Sequence, residues 1–129
     1  MSTTTLRRLP ATADHTSPHS ALRSAVTKRL RSLGAWTYCV AGGPFGRKGA
    51  PDVLACLSET PAVGVGAGRM IAVECKTGTG QPTPAQLREL DSLRRAGAVV
   101  VIARSVADLD RALAEAGLCA SEYLAKEAN

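Results

Sequence analysis

Two short runs of sequence, GAPDVLAC at residues 49–56 and MIAVECK at residues 70–76, decide how this chain folds and where its polar chemistry lies. Both are short apolar runs, and a loop rich in Gly and Pro precedes the first, which predicts two strands. Successive side chains of a strand point to opposite faces. Glu74 and Lys76 should therefore share one face of the second strand, with Cys75 on the other.

Asp52, at the start of the first run, supplies a second carboxylate. Mg²⁺ in proteins is typically held by one or two carboxylates together with waters and substrate phosphate oxygens. If the two strands are neighbours, Asp52 and Glu74 could share Mg²⁺ or Mn²⁺, with the backbone carbonyl of Cys75 as a third ligand. Lys76 would then orient water or neutralise developing charge during phosphodiester hydrolysis. The alternative is that Glu74 and Lys76 form a structural ion pair and that Pro-Asp is ordinary turn chemistry.

Length and composition limit the class of protein. The chain has 129 residues, of which 45% are hydrophobic, enough for one domain with a real core. A net charge of +5 favours an acidic partner such as nucleic acid. The sequence lacks an apolar stretch long enough for a membrane span, so we expect a soluble cytoplasmic protein, in the host cytoplasm if the protein is viral. Four scattered cysteines lack metal-ligand spacing, and three of them lie in strand-like runs, which predicts small core residues.

The rest of the chain predicts an α/β fold. Strands joined without helices form an antiparallel meander, whereas a strand reached through a helical crossover lies parallel to its neighbour. The result is a small mixed β-sheet flanked by helices. The predicted elements are a helix at 20–33, strands at 35–40, 52–57 and 70–76, a helix opening at Thr83, a strand at 98–103 and a helix at 105–116. We divide the chain into a flexible tail (1–18), a single domain (19–117) and a short C-terminal helix or tail (118–129).

Basic residues are concentrated in two places. The first helix carries cations with no acidic residue to balance them, and the loop at 41–51 carries two more. Such runs are usually solvated surface, but here they also suit contact with DNA phosphates. The candidate DNA-binding residues are Arg23, Lys28, Arg31, Arg47 and Lys48.

Two histidines, His15 and His19, are spaced as a metal pair on a helix would be. Pro18 between them argues against such a helix. We therefore expect no specific role for either histidine.

Several motifs in order resemble one family. GAPDVLAC, then IAVECKTGTGQPTPAQ, then GAVVVIARSVADL are similar to the VRR-NUC (virus-type replication-repair nuclease) domain of the PD-(D/E)xK nuclease superfamily. The pattern is G-x-P-D, E-x-K-x-G, a Ser/Thr-Pro-x-Gln helix start, and a glycine leading into a valine-rich strand. The resemblance covers about residues 20–114.

The resemblance implies a restriction-endonuclease-like fold and a metal-dependent DNA endonuclease of replication, repair or recombination. It implies Asp52 and Glu74 as ligands of Mg²⁺ or Mn²⁺, Lys76 as the catalytic lysine and Gln86 as an active-site residue. Gln86 also completes a T-x-x-Q capping box, and both roles can hold at different atoms. Single-domain viral-type members suggest a homodimer that acts on branched DNA, without a small-molecule cofactor.

One departure from the family pattern concerns the first helix, where members usually carry a glutamate that completes the metal site. No Asp or Glu occurs between Asp14 and Asp52. Either the remaining ligands and water suffice, or Asp14 substitutes, or activity is weakened. We favour the first. The alternative function is a catalytically silent nucleic-acid-binding module with the same fold.

Overall fold

The computed structural model describes residues 17–41, 46–59 and 66–118. The predictions for the tail before residue 17, for Cys119 and for the short helix or tail after residue 118 lie outside the described residues. The elements are α1 (Pro18–Ser32), β1 (Trp36–Cys39), β2 (Val53–Ser58), β3 (Gly68–Cys75), α2 (Pro84–Arg95), β4 (Val99–Ala103) and α3 (Val106–Glu115).

The four strands form one mixed sheet in the order β1-β2-β3-β4. β1, β2 and β3 pair antiparallel, and β4 lies parallel to β3. The predicted meander with one parallel strand is confirmed. Val53 stands opposite Val73, so the next residues along, Asp52 and Glu74, arrive at the same end of the sheet.

The main core lies on one face of the sheet, beneath α1 and α3. It takes alternate residues of the strands, including Cys75, together with Val26 and Leu30 of α1 and Leu109 and Leu113 of α3. Helix α2 contacts β4 and carries Gln86 to Glu74, on the opposite face. The alternation places apolar groups in the core while Glu74 and Lys76 point toward α2.

Partial coverage of the second face leaves several residues exposed and corrects the prediction that the cysteines of the strands are core residues. β2 is not buried on both faces, because Cys56 is exposed. Cys39 is exposed too, so among the described cysteines the core contains Cys75 alone. On α2, Leu90 is buried but Leu87 is 50% exposed, since α2 reaches only part of the sheet.

Two of the three helices begin with a hydroxyl residue followed by proline. Thr83 caps α2 in the predicted capping box with Gln86, and Pro84 takes the first turn, which is confirmed. Ser17 caps α1, whose first residue is Pro18. α1 therefore begins two residues before the predicted start. Proline fits the first turn because the N–H that it lacks would have no intrahelical partner there.

β1 is one of the two edge strands of the sheet. Its Trp36 and Tyr38 side chains stack with ring centroids 6.2 Å apart, and both are exposed. Within the described residues, no helix has the length and apolar character needed to cross a membrane.

Candidate active site

Asp52 is held by backbone groups from both neighbouring strands. Its carbonyl accepts a hydrogen bond from the Val40 N–H at 2.9 Å, just beyond the end of β1. Its Oδ2 accepts from the Cys75 N–H at 2.8 Å. The side chain is thereby directed toward the end of β3 that carries Glu74.

Glu74 is buried, with only 2% of its surface exposed. Its Oε2 accepts a hydrogen bond from Gln86 Nε2 at 2.8 Å and lies 3.3 Å from Lys76 Nζ. Its Oε1 is also buried but has no hydrogen-bond partner among the described residues. Leaving a buried carboxylate oxygen unpaired is costly, because the group has lost its water without gaining a replacement.

The charge balance at Glu74 shows how crowded this end of the sheet is with negative charge. Burial, followed by the nearby Asp52 carboxylate, raises the pKa of Glu74 above its usual range. Lys76 and His19 oppose the rise without cancelling it. Two carboxylates therefore stand close enough to destabilise each other, and a bound cation would relieve that repulsion.

Gln86 performs two tasks with two different atoms. Its Oε1 accepts the Thr83 N–H at 2.9 Å, while the Gln86 N–H donates to Thr83 Oγ1 at 3.1 Å, which is the capping box. Its Nε2 remains available and donates to Glu74. The capping role and the contact with the candidate site thus coexist, and the cap fixes the position of the amide group.

Gly49 explains how the loop before Asp52 packs against α2. Its φ is +81°, and a Cβ built there would lie 2.5 Å from the Ala85 carbonyl oxygen. Only glycine allows this close approach. The first residue of the G-x-P-D motif therefore docks the Asp52 loop on the same helix turn that carries Gln86.

Lys76 follows β3 directly, and its N–H donates to the Ala103 carbonyl at 3.0 Å. The loop after it is held by Arg104, whose guanidinium donates to the carbonyls of Gly78 and Gly80 at 3.2 and 2.8 Å. The sequence analysis did not identify Arg104. No local pattern predicts these contacts, because they join a loop to the end of a strand that follows much later in the chain.

His19, to which the sequence analysis gave no role, lies at the candidate site. Its Nε2 is 3.3 Å from Asp52 Oδ2. The sequence signal that could have revealed it is Ser17-Pro18, the same hydroxyl-proline start as at α2. Pro18 opens the helix instead of preventing it, and His19 follows in the first turn.

The donor set fits a hard divalent cation held by Asp52 and Glu74. Both are oxygen ligands, and Glu74 Oε1 is a buried acceptor that lacks a partner. The Cys75 thiol is not a donor here, because burial above all raises its pKa to about 12 and it faces the core. Among the described residues, no group of three or more His, Cys, Asp or Glu side chains is arranged to hold a metal ion, so the two carboxylates would need water or substrate oxygens to complete the site.

A cleft of about 530 Å³ opens beside Asp52 and Gln86. Three of the candidate DNA-binding residues line it: Arg23, Arg47 and Lys48. Arg47 is bound to Glu89 through contacts of 2.6 and 3.1 Å, and this hydrogen bond lowers the pKa of Glu89. Lys48 is exposed and makes no such contact with the described residues.

The other two candidates, Lys28 and Arg31, lie farther along α1. Together with Arg23 they line a second cavity of about 360 Å³. Arg31 also donates to Thr37 Oγ1 at 3.0 Å. Since Arg23 borders both cavities, the five predicted cations form one basic surface that starts beside Asp52 and continues along α1.

Comparison with known proteins gives one informative match. No family model matches the sequence, and no curated protein matches it. A solved structure described as a "VRR_NUC domain" is similar in fold, with a TM-score of 0.58 and 28% sequence identity. The similarity covers 77% of this chain and 96% of that structure.

Proposed function

Since this chain is a VRR-NUC domain, which is a nuclease-type domain, we propose that it is a divalent-metal-dependent endonuclease that hydrolyses phosphodiester bonds in DNA. The observation that carries the proposal is the state of Glu74. It is a buried carboxylate beside a second carboxylate, with one oxygen that nothing in the described chain satisfies. Such an arrangement is costly for folding alone, and it suits a site that binds a cation.

In this proposal the chain's own groups have distinct tasks. Asp52 and Glu74 hold Mg²⁺ or Mn²⁺, with the Cys75 carbonyl as the proposed third ligand. Gln86 is a positioning residue: its amide fixes Glu74 Oε2 and leaves Oε1 toward the ion. When bound, the ion would polarise the scissile phosphate as a Lewis acid. Lys76 supplies a positive charge beside Glu74, where it orients the attacking water or neutralises the developing phosphate charge.

The substrate side of the proposal rests on the basic surface. The cleft beside Asp52 is lined by cations and leads to further cations on α1. A phosphate backbone laid along this surface would place one phosphate near the two carboxylates. We propose branched or structured DNA as the substrate and a homodimer as the active form, in line with the motif resemblance. The exposed Trp36 and Tyr38 on the β1 edge are apolar surface that a second copy would cover.

The test is a cleavage panel of fork, flap, four-way junction and duplex DNA with Mg²⁺ or Mn²⁺. We expect nicking that requires the metal and is lost in Asp52→Asn and in Lys76→Ala. Asp91→Asn is the matched control, because Asp91 is an exposed carboxylate of α2 that pairs with Arg95 away from the site. Cutting that survives both active-site substitutions would identify a contaminating nuclease and remove the proposal.

The same panel separates the silent DNA-binding alternative. That version predicts salt-dependent binding of DNA with no cleavage under either metal. The unpartnered Glu74 oxygen favours the enzyme, since a module that only binds phosphates gains nothing from a buried negative charge.

A further inference from the structure

The first turn of α1 brings an imidazole to the candidate metal site. His19 Nε2 is 3.3 Å from Asp52 Oδ2, on one of the two carboxylates of the candidate metal site. We propose that His19 is a third protein ligand of the ion, which gives the site one nitrogen besides its carboxylate oxygens. This inference rests on the proposed function, because it assigns a residue to the same metal site.

The distance supports shared coordination better than a strong ion pair. Hydrogen bonds between a charged nitrogen donor and a carboxylate are typically about 2.7–2.9 Å long, shorter than the observed 3.3 Å. Two neighbouring ligands of one octahedral ion, with bonds of about 2.1 Å, lie about 3 Å apart. The observed separation is therefore close to that of two groups that face one ion.

The second observation is the unsatisfied oxygen on the other side of the site. Glu74 Oε1 is buried and has no hydrogen-bond partner among the described residues. The Asp52 carboxylate, which His19 contacts, also accepts the N–H of Cys75, the residue next to Glu74. As they stand in the described residues, the three groups are not arranged to hold an ion together, so the proposal requires His19 to turn. The His19 side chain is 40% exposed, so it has room to turn toward an ion that the carboxylates hold.

The proposal has a consequence for the choice of metal. Mg²⁺ strongly prefers oxygen ligands, whereas imidazole nitrogen suits first-row transition metals. A site with His19 in it should therefore favour Mn²⁺ over Mg²⁺ more than a site made of carboxylates alone. His19→Glu, which replaces the nitrogen with an oxygen ligand, should shift this preference toward Mg²⁺.

The experiment combines calorimetry with pulsed electron paramagnetic resonance on the full-length chain loaded with Mn²⁺. In the wild type we expect electron spin-echo modulation from a coordinated ¹⁴N. His19→Leu should remove the modulation and lower Mn²⁺ affinity by at least about 10-fold, because loss of even a hydrogen-bond partner of a metal ligand costs about 10- to 100-fold. His19→Glu should remove the modulation but retain most of the Mn²⁺ affinity.

The controls keep the two proposals apart. The chain has two histidines, so His15→Leu is the matched substitution and should leave both readouts as in the wild type. Mn²⁺ binding that depends on Glu74 but shows no nitrogen modulation would overturn the role of His19 and leave the metal site standing. If the wild type does not bind Mn²⁺, or if Glu74→Gln does not weaken that binding, the metal site itself is overturned. Circular dichroism spectra of each variant identify those that fail to fold.

Discussion

The first turns of α1 and α2 approach the same pair of carboxylates from opposite faces of the sheet, but they are secured in different ways. α2 is fixed by a reciprocal capping box, by the close packing of Gly49 on its backbone and by the hydrogen bond from Gln86 to Glu74. α1 has a simple Ser17 cap and reaches the site through one long contact, from His19 to Asp52. Glu74 and Asp52 are therefore both preorganised, whereas His19 at the start of α1 has freedom to adjust.

The two helices also differ in charge. α1 carries basic residues that line the cleft and its extension, while α2 carries Glu89, which binds Arg47 of the facing loop. α1 thus offers positive charge to a ligand, and α2 uses its charge to hold the loop in place. In the proposed function, α2 would maintain the site and α1 would contact the DNA.

The largest effect is expected where α2 meets the Asp52 loop. Gly49→Ala combines a left-handed backbone with a Cβ that overlaps the Ala85 carbonyl, so we expect a loss of about 3 kcal/mol or more in the free energy of unfolding. Gly97→Ala is the matched control: its φ is +106° but the space around it is open, so backbone strain alone should cost about 1–2 kcal/mol. Urea unfolding followed by circular dichroism measures both. Equal costs would show that the loop does not depend on contact with α2.

The next effect concerns the carboxylate that α2 holds. The folded-state pKa of Glu74 is raised, so its contribution to stability is present at low pH and is lost as pH rises through the folded pKa. Glu74→Gln should therefore stabilise the metal-free protein at pH 7 by about 1–3 kcal/mol. The difference from wild type should shrink as the pH falls toward 4.5, the ordinary value for this side chain. A variant that is less stable than wild type at pH 7 would contradict the claim that Glu74 is strained for function.

The N-caps of α1 and α2 should have a smaller effect on the free energy of unfolding. Thr83→Ala removes one half of a reciprocal box and should cost about 1 kcal/mol. Ser17→Ala removes the hydroxyl that accepts the Ser20 N–H at 3.0 Å and donates to Ser20 Oγ at 3.1 Å, both exposed contacts, and should cost no more than that. Paired unfolding curves in urea compare them. If Ser17→Ala lowers the free energy of unfolding more than Thr83→Ala does, the start of α1 is held more firmly than the start of α2, which contradicts the comparison.

The smallest effects are expected in DNA binding without metal. Lys48→Ala should weaken binding and reduce the slope of log affinity against log salt by about 1, as for one lost phosphate contact. Arg47→Ala should matter less, because Arg47 already binds Glu89. Glu89→Ala frees that cation and should strengthen binding. Fluorescence anisotropy with labelled DNA in EDTA distinguishes these outcomes, and an effect of Arg47→Ala larger than that of Lys48→Ala would show that DNA displaces Glu89.

Local patterns predicted most of the fold because they act over a few residues. Alternation in MIAVECK, the capping box at Thr83 and the helix-free connections indicated the strands, the helix start and the meander. Exposure was harder to predict, as Cys39, Cys56 and Leu87 show. The two cysteines lie in apolar strand-like runs and Leu87 lies three residues before the buried Leu90 on α2. Their burial depends on how far α2 extends over the sheet, and that distance is not encoded in any one run.

The residues of the candidate site were likewise predicted only in part. Asp52, Glu74, Lys76 and Gln86 lie in recognisable motifs, and the structure brings them together, while their roles remain predictions. The place of His19 at the site was not predicted, because Pro18 taken alone indicates a helix break. With Ser17 before it as the N-cap, Pro18 is instead the first residue of the helix. The same pair of residue types at Thr83 was interpreted correctly, with Gln86 as the additional signal.

The exposed edge strand determines what optical spectroscopy can report on this protein. Trp36 is the single tryptophan of the chain, and 64% of its surface is exposed in the folded state. Its fluorescence emission should therefore resemble that of an unfolded chain and change little when the core melts. The indole is instead a built-in reporter of the β1 edge. A blue shift that develops with protein concentration would signal that a second surface has covered that edge.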